Sequence, residues 1–363
     1  MITPAFTWHA FASRVTLHSG ALNTVGDEVA RAHGSRVLLI AGGPAEADGL
    51  ARLRDQLAER VVAVIDGAVQ HVPADTARTA AGRARECGAD IVVTIGGGSA
   101  TGLGKAVAVA CSVPLVALPT TYAGSEMTPV WGRTTGGRKV TERDERALPV
   151  AVLYDSDLFT AMPPRLAAAS GLNALAHCLE ALWLPGTSPM TAAFADLGVA
   201  HLLGGLPAVV ADPTDADAQA ETLVGACAAG LSLAQAGSGL HHRTCHVLGG
   251  GWNLPHAETH AVLLPHSTAL VVARRLDVGE HLAAVLGDES PAQAVFSLLE
   301  AFDLPLSLAD LGLPTDAIGE VCDRVMAASA GDPLVDEAAV REMLVAAHAG
   351  RIRDRRRDPL PTS

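Results

Sequence analysis

Six of the chain's fourteen histidines fall between residues 241 and 266: His241, His242, His246, His256, His260 and His266. His242 and His246 are four residues apart, as are His256 and His260, so each pair shares one face of any helix that carries it. Upstream, Asn173 and His177 repeat the spacing. Imidazole titrates near neutrality, binds divalent metals through a neutral nitrogen and attracts anions when protonated. The cluster therefore reads as a metal site, a proton-handling site or an anion pocket. Taken singly, His241, His260 and His266 read as structural histidines.

A second candidate site runs from Ile91 through Gly96, Gly97, Gly98 and Ser99 to Lys105, in the order strand, glycine turn, helix. Glycines let a phosphate approach the backbone, and the following helix N-terminus supplies free N–H donors and a positive dipole end. The spacing excludes a P-loop, because Lys105 is followed by Ala106 where Ser or Thr is needed. The usual dinucleotide fingerprint belongs at the first strand–helix turn, and this turn comes later. The chain has two lysines, Lys105 and Lys139, among its 26 basic residues, which suggests that local requirements hold them.

Such groups need a scaffold, and the pattern supplies two kinds. The runs 37–40, 61–65 and 91–95 are apolar and bounded by turn residues, as in parallel strands covered on both faces. Helix-length stretches at 46–58 and 74–87 separate them, the second stopped by Gly88. A further strand is expected over 114–119, and a hairpin within 128–154. Beyond about 156 the β signal disappears. The stretches 165–184, 190–210, 216–236, 258–274, 290–303, 316–329 and 336–349 are rich in Ala and Leu and of helix length. An α/β domain over 1–155 and an all-helical domain over 156–363 are expected.

Composition narrows the classes. Hydrophobic residues are 49% and charged residues 18% of 363, which excludes a disordered chain. A net charge of -13 argues against nucleic-acid and anionic-membrane partners. The basic run from Arg351 to Arg357 reads as a solvated tail. Six scattered cysteines without a C-x-x-C pair read as reduced thiols, which fits the cytoplasm. The N-terminus lacks a secretory signal pattern, and no uncharged apolar stretch reaches the roughly 18 residues of a membrane span.

Four segments together resemble the maleylacetate reductases of the iron-containing alcohol dehydrogenase superfamily. They are Gly96 to Lys105, Pro119 to Pro129, Gly171 to His177, and Gly239 to His246 followed by Asn253 to His260. The resemblance covers nearly the whole chain and weakens after about residue 275. It implies a dinucleotide-binding α/β domain, a helical domain and a cleft between them. It implies reduction of the carbon–carbon double bond of 2-maleylacetate, a small dicarboxylate, by NADH or NADPH to 3-oxoadipate, by a cytoplasmic homodimer. Gly97, Gly98 and Ser99 match the pyrophosphate loop, Thr120, Thr121 and Ser125 the cofactor-contacting strand end, and Lys139 a ribose-contacting lysine.

Two departures separate the chain from metal-dependent members of the superfamily. The positions matching an Asp and three His ligands are Asn173, His177, His242 and His256, and the Asp of the glycine loop is Gly102. Maleylacetate reductases share both changes, so no required metal is expected; the alternative is a metal-dependent alcohol dehydrogenase. Conjugate reduction needs hydride at the carbon β to the ketone, a stabilised enolate oxygen and a proton at the α-carbon. His177, His242, His246 and His256 are the expected catalytic groups, with Tyr122 as a further donor and Arg243 as a fork for carboxylate. Tolerance of both cofactors is expected, because Ala41-Gly42-Gly43-Pro44 carries no ribose-binding acid before Glu46.

Overall fold

A computed structural model describes residues 6–352 apart from 71, 136–137 and 333–334, and the side chains of Arg138 and Lys139 are also outside the described residues. Six parallel strands form the main sheet: β1 (Arg14–Leu17), β2 (Val37–Ala41), β3 (Val61–Ile65), β4 (Ile91–Gly96), β5 (Leu115–Pro119) and β8 (Ala151–Tyr154). Their order is β1-β8-β5-β4-β2-β3. Every residue of β2, β4, β5 and β8 is buried, as unbroken runs of Val, Leu, Ile and Ala require when both faces are covered. Each fully buried Leu or Ile contributes about 1.5–3 kcal/mol.

Helices α1 (Val25–Arg31) and α2 (Ala47–Leu57) cover one face with Val25, Val29, Leu50, Leu53 and Leu57. Helices α3 (Ala74–Glu86) and α4 (Gly98–Cys111) cover the other with Ala77, Ala80, Leu103 and Val107. The change of face falls between the adjacent strands β2 and β4, so a crevice opens there beyond their C-terminal ends. Strands β6 (Val130–Thr135) and β7 (Arg138–Arg143) pair as a separate antiparallel hairpin. The expected hairpin therefore ends at Arg143. Its former last segment is β8, which joins the parallel sheet because all four of its residues are apolar.

From Pro164 onward the chain is helical: α5 (Pro164–Trp183), α6 (Pro189–Ala211), α7 (Ala216–Ala236), α8 (Leu240–Trp252), α9 (His256–Arg274), α10 (Leu276–Leu286), α11 (Pro291–Ala301), α12 (Ile318–Ala328) and α13 (Glu337–Ala349). Helix α5 is buried on nearly every side, which its Ala, Gly and Ser residues permit. Helix α6 is long and apolar enough to cross a membrane by composition, yet it packs along α5 and α7. Its Asp196 carboxylate accepts a hydrogen bond from His281 on α10 at 2.8 Å. Close packing of α6 needs glycine: a Cβ on Gly198 would lie 2.5 Å from Cys178 Sγ. Helices α1, α8 and α10 go beyond the segments that the pattern marked.

Candidate active site

The glycine turn forms as its spacing implies, with Gly96 closing β4 and Gly98 opening α4. Gly96 has φ +141°, and a Cβ there would meet Gly42 Cα at 3.1 Å. A Cβ on Gly97 would meet Thr121 Cγ2 at 3.0 Å, whereas one on Gly98 would have nothing within 4 Å. The turn is thus tight against its protein neighbours and open at Gly98 and the start of α4, the geometry a pyrophosphate needs. Thr120 and Thr121 follow β5 beside it, since Gly96 pairs with Pro119. The Ser125 hydroxyl is buried without a hydrogen-bond partner, leaving a polar atom for a bound group. These residues fit a dinucleotide. Lys139 lies in β7 opposite Thr134, and its side chain is outside the described residues.

Lys105 shows why a lysine stands at its position. Its buried Nζ donates to Ser125 O, Thr128 O and Val130 O at 2.5, 2.7 and 2.8 Å, and contacts Thr128 Oγ1 at 3.1 Å. Burial lowers its pKa to about 7, with the Glu126 charge opposing. It therefore staples α4 to the segment after β5. That segment reaches the helical domain: Ser170 Oγ on α5 accepts from Tyr122 N at 2.9 Å, and Ala123 O lies 3.2 Å from His177 Nε2. The glycine turn and the histidines are joined by these few residues.

The helices then gather the imidazoles. Helix α5 brings His177, α8 brings His241, His242 and His246, and α9 brings His256 and His260. His177 stacks on His242 with centroids 4.4 Å apart, and His242 lies 4.7 Å from His260 and 6.4 Å from His246. His256 lies 4.6 Å from His260 and 6.3 Å from His246. His177, His241, His242 and His260 are buried, whereas His246 and His256 are exposed. The array has a closed floor and an open mouth. His266, also on α9, stands outside it and lines a separate cavity of about 300 Å³ with α11 and α13.

Hydrogen bonds fix the floor. Ser267 Oγ donates to the carbonyls of Leu264 and Leu263, so its oxygen accepts from His241 Nδ1 at 3.0 Å. His241 Nε2 then accepts from His260 Nδ1 at 3.0 Å, leaving a lone pair on His260 Nε2, which has no partner. Burial, followed by neighbouring imidazoles, lowers the pKa of His177, His241 and His260 well below the usual value, so these rings are neutral at neutral pH.

Glu180, absent from the sequence-based candidates, is the carboxylate of the array. Its Oε2 lies 2.5 Å from His242 Nδ1, and its Oε1 accepts from His241 N at 2.9 Å. Burial alone would raise its pKa, but the His242 charge and hydrogen bonds from His242 and the adjoining backbone outweigh burial and hold it low. The carboxylate therefore takes the Nδ1 proton side of His242 and leaves Nε2 toward the array, where it has no partner. Its position three residues after His177, in an otherwise apolar stretch of α5, is the signal that could have revealed it.

Two expected groups have other work. Tyr122 is buried; its hydroxyl donates to Gln219 Oε1 at 2.9 Å and its ring stacks on Phe159 at 5.2 Å, so it braces the joint between domains instead of donating to substrate. Arg243 is ion-paired with Asp332 through Nη2 at 2.7 Å, which occupies one arm of its fork, while its buried Nε has no hydrogen-bond partner.

The four positions that match superfamily metal ligands carry no carboxylate to offset a cation's charge. Asn173 Oδ1, His177 Nδ1 and His242 Nε2 are buried without partners, while Ala123 O and Glu180 engage the other ring nitrogens of His177 and His242. Among the described residues, the group of three His, Cys or carboxylate side chains whose ligand atoms all lie within 4.8 Å is His241, Cys245 and His260. His177, His242 and His256 do not converge in that way. The trio that does converge is fully buried and already joined by its own hydrogen bond between His241 and His260.

A parallel α/β domain with a glycine turn, followed by a helical domain carrying a histidine array, defines a class of nicotinamide-dependent oxidoreductases. Residues 12–156 match the iron-containing alcohol dehydrogenase family and residues 167–347 its C-terminal domain. The chain belongs to the iron-containing alcohol dehydrogenase family. Within it, the chain is similar to maleylacetate reductase of Burkholderia cepacia, 40% identical over 347 residues that cover 95% of this chain and 98% of that protein. Maleylacetate reductase from Agrobacterium tumefaciens has a crystal structure with TM-score 0.91 at 36% identity, covering 96% of this chain and 99% of that one. A putative alcohol dehydrogenase from Ralstonia eutropha JMP134 gives TM-score 0.93 at 40% identity, covering 97% and 100%.

Proposed function

We propose that this protein is a maleylacetate reductase, reducing the carbon–carbon double bond of 2-maleylacetate to 3-oxoadipate. The observation that carries the reading is the imidazole array, with Asn173 in place of a carboxylate, set against the segment that ends the cofactor strand. Bound NADH or NADPH supplies the hydride. Gly97, Gly98 and Ser99 would hold its pyrophosphate at the α4 N-terminus, and Thr120, Thr121, Ser125 and Lys139 its remaining contacts. His242, oriented by Glu180 at Nδ1, donates to the enolate oxygen from Nε2–H when its ring carries both protons, and exposed His246 delivers the proton to the α-carbon. His177 orders the floor through Ala123, and His256 at the mouth binds a substrate carboxylate.

An enolate spreads its charge over carbon and oxygen, so hydrogen-bond donors suffice where alcohol oxidation gains from a Lewis acid. The enzyme accordingly works without a tightly bound metal, as a cytoplasmic homodimer with its domains divided as 1–155 and 156–363. The test is oxidation of NADH or NADPH with freshly generated maleylacetate, with product identification, before and after chelation. The expected result is 3-oxoadipate formation at an unchanged rate in chelator. Turnover of simple alcohols with none of maleylacetate refutes the substrate. Activity lost on chelation and restored by zinc or iron refutes the metal-free mechanism.

A further inference from the structure

The turn after β2 carries a carboxylate that the hydride chemistry does not use. Glu46 accepts a hydrogen bond from Thr120 Oγ1 through Oε1 at 3.1 Å. A Cβ on Gly42 would lie 2.9 Å from Glu46 Oε2, and Gly42 itself touches the glycine turn at Gly96. The carboxylate thus bridges the ends of β2 and β5 across the turn of the intervening β4. Sequence spacing had placed it too far from the strand to matter. The fold brings it back: Pro44–Glu46 form a single tight turn in which Glu46 N donates to Gly43 O at 3.0 Å.

In doubly wound sheets the pyrophosphate sits on the glycine turn and the adenosine ribose lies over the end of the adjoining strand. An acid there binds the 2′-hydroxyl and repels a 2′-phosphate. Strand β2 is that neighbour of β4, with Ala41 level with Ile95. Arg54, Asp55 and Asp66 line one pocket with α2. Half-burial raises the pKa of Glu46, the Thr120 bond opposes, and the Asp66 charge adds to the rise.

We propose that Glu46 determines cofactor specificity: it accepts the adenosine ribose hydroxyls and excludes a 2′-phosphate, so NADH is preferred to NADPH. The proposal rests on the reductase reading and narrows the expectation that both cofactors are tolerated. Its test has two arms, kcat/KM for NADH and NADPH with maleylacetate, and calorimetric Kd for ADP and 2′,5′-ADP. Both are run on the wild type, on Glu46→Gln, which keeps size and removes charge, and on Asp66→Asn. The wild type is expected to prefer NADH by at least about tenfold. Glu46→Gln is expected to cut that preference about tenfold and tighten 2′,5′-ADP about tenfold, with ADP changed less than about threefold. Asp66→Asn is expected to shift the ratios by less than about threefold.

A wild type without preference, or favouring NADPH, overturns the proposal. Equal tightening of ADP and 2′,5′-ADP in Glu46→Gln also overturns it, placing the carboxylate at the pyrophosphate. An equal effect of Asp66→Asn overturns it in favour of diffuse charge. The nucleotide arm needs no turnover, so failure to reduce maleylacetate refutes the reductase reading and leaves the Glu46 result readable.

Discussion

The crevice at the glycine turn and the histidine array, to which we assign different chemistry, are built from different material. The crevice is made of backbone: Gly96 and Gly97 matter for the Cβ atoms they lack, and the donors are main-chain N–H groups at the start of α4. The array is made of side chains from three helices, tied by Ser267, His241, His260 and the Glu180–His242 pair. A backbone site depends on shape, so one local segment specifies it. A side-chain site depends on partners that are distant in the chain, such as Glu180 and His242, 62 residues apart. Substitutions should therefore separate cleanly, with crevice changes acting on nucleotide affinity and array changes on turnover.

The strongest way to break that division is within the array. His242→Ala and His246→Ala should each lower kcat on the order of 10²–10³-fold, with the Kd of NADH changed less than about threefold. Stopped-flow or steady-state rates with fluorescence titration of NADH check this; wild-type turnover would make the cluster structural. Glu180→Gln should follow, with kcat down about 10–100-fold and the KM of maleylacetate within about threefold, because it acts through the orientation of His242. A pure rise in KM would show that Glu180 serves binding.

The crevice is sharpened by Gly98→Ala. The added methyl meets nothing in the cofactor-free protein, so unfolding free energy should stay within about 0.5 kcal/mol. NADH affinity should nevertheless fall about tenfold, because the methyl occupies the space that admits phosphate. Unchanged affinity by calorimetry would move the pyrophosphate elsewhere.

The smallest effect concerns acid. Burial lowers the pKa of His266 to about 4 from its ordinary 6.5, so between these values the unfolded chain binds the extra proton. The stability this neutral ring provides is complete above pH 6.5 and lost as pH falls toward 4. At about pH 5 the loss is about 2 kcal/mol. His266→Leu should shrink the drop in unfolding free energy between about pH 7 and pH 5 by that amount, measured by urea denaturation. An unchanged drop would mean that His266 is hydrated through its cavity. The buried His177, His241 and His260 act in the same direction, so acid should strike the helical half first.

Much of this was legible in the chain alone. Apolar runs marked β2, β4 and β5 because a strand buried on both faces must be apolar throughout, and the apolar run of β3 marked the half-buried strand at the sheet edge. The helix α7 matched its Ala-rich stretch, 216–236, because an Asp at its start and a Gly after its end bound it. Four histidines and the glycine turn stood out by local spacing, which is set by helix pitch and strand–turn–helix order. Tertiary structure decided the rest. It turned Tyr122 toward Gln219 and Arg243 toward Asp332, gave His242 the partner Glu180, and returned Glu46 to Thr120. Each of those pairs joins separate elements, and a side chain's role depends on which group stands across from it, which residue type and spacing do not encode.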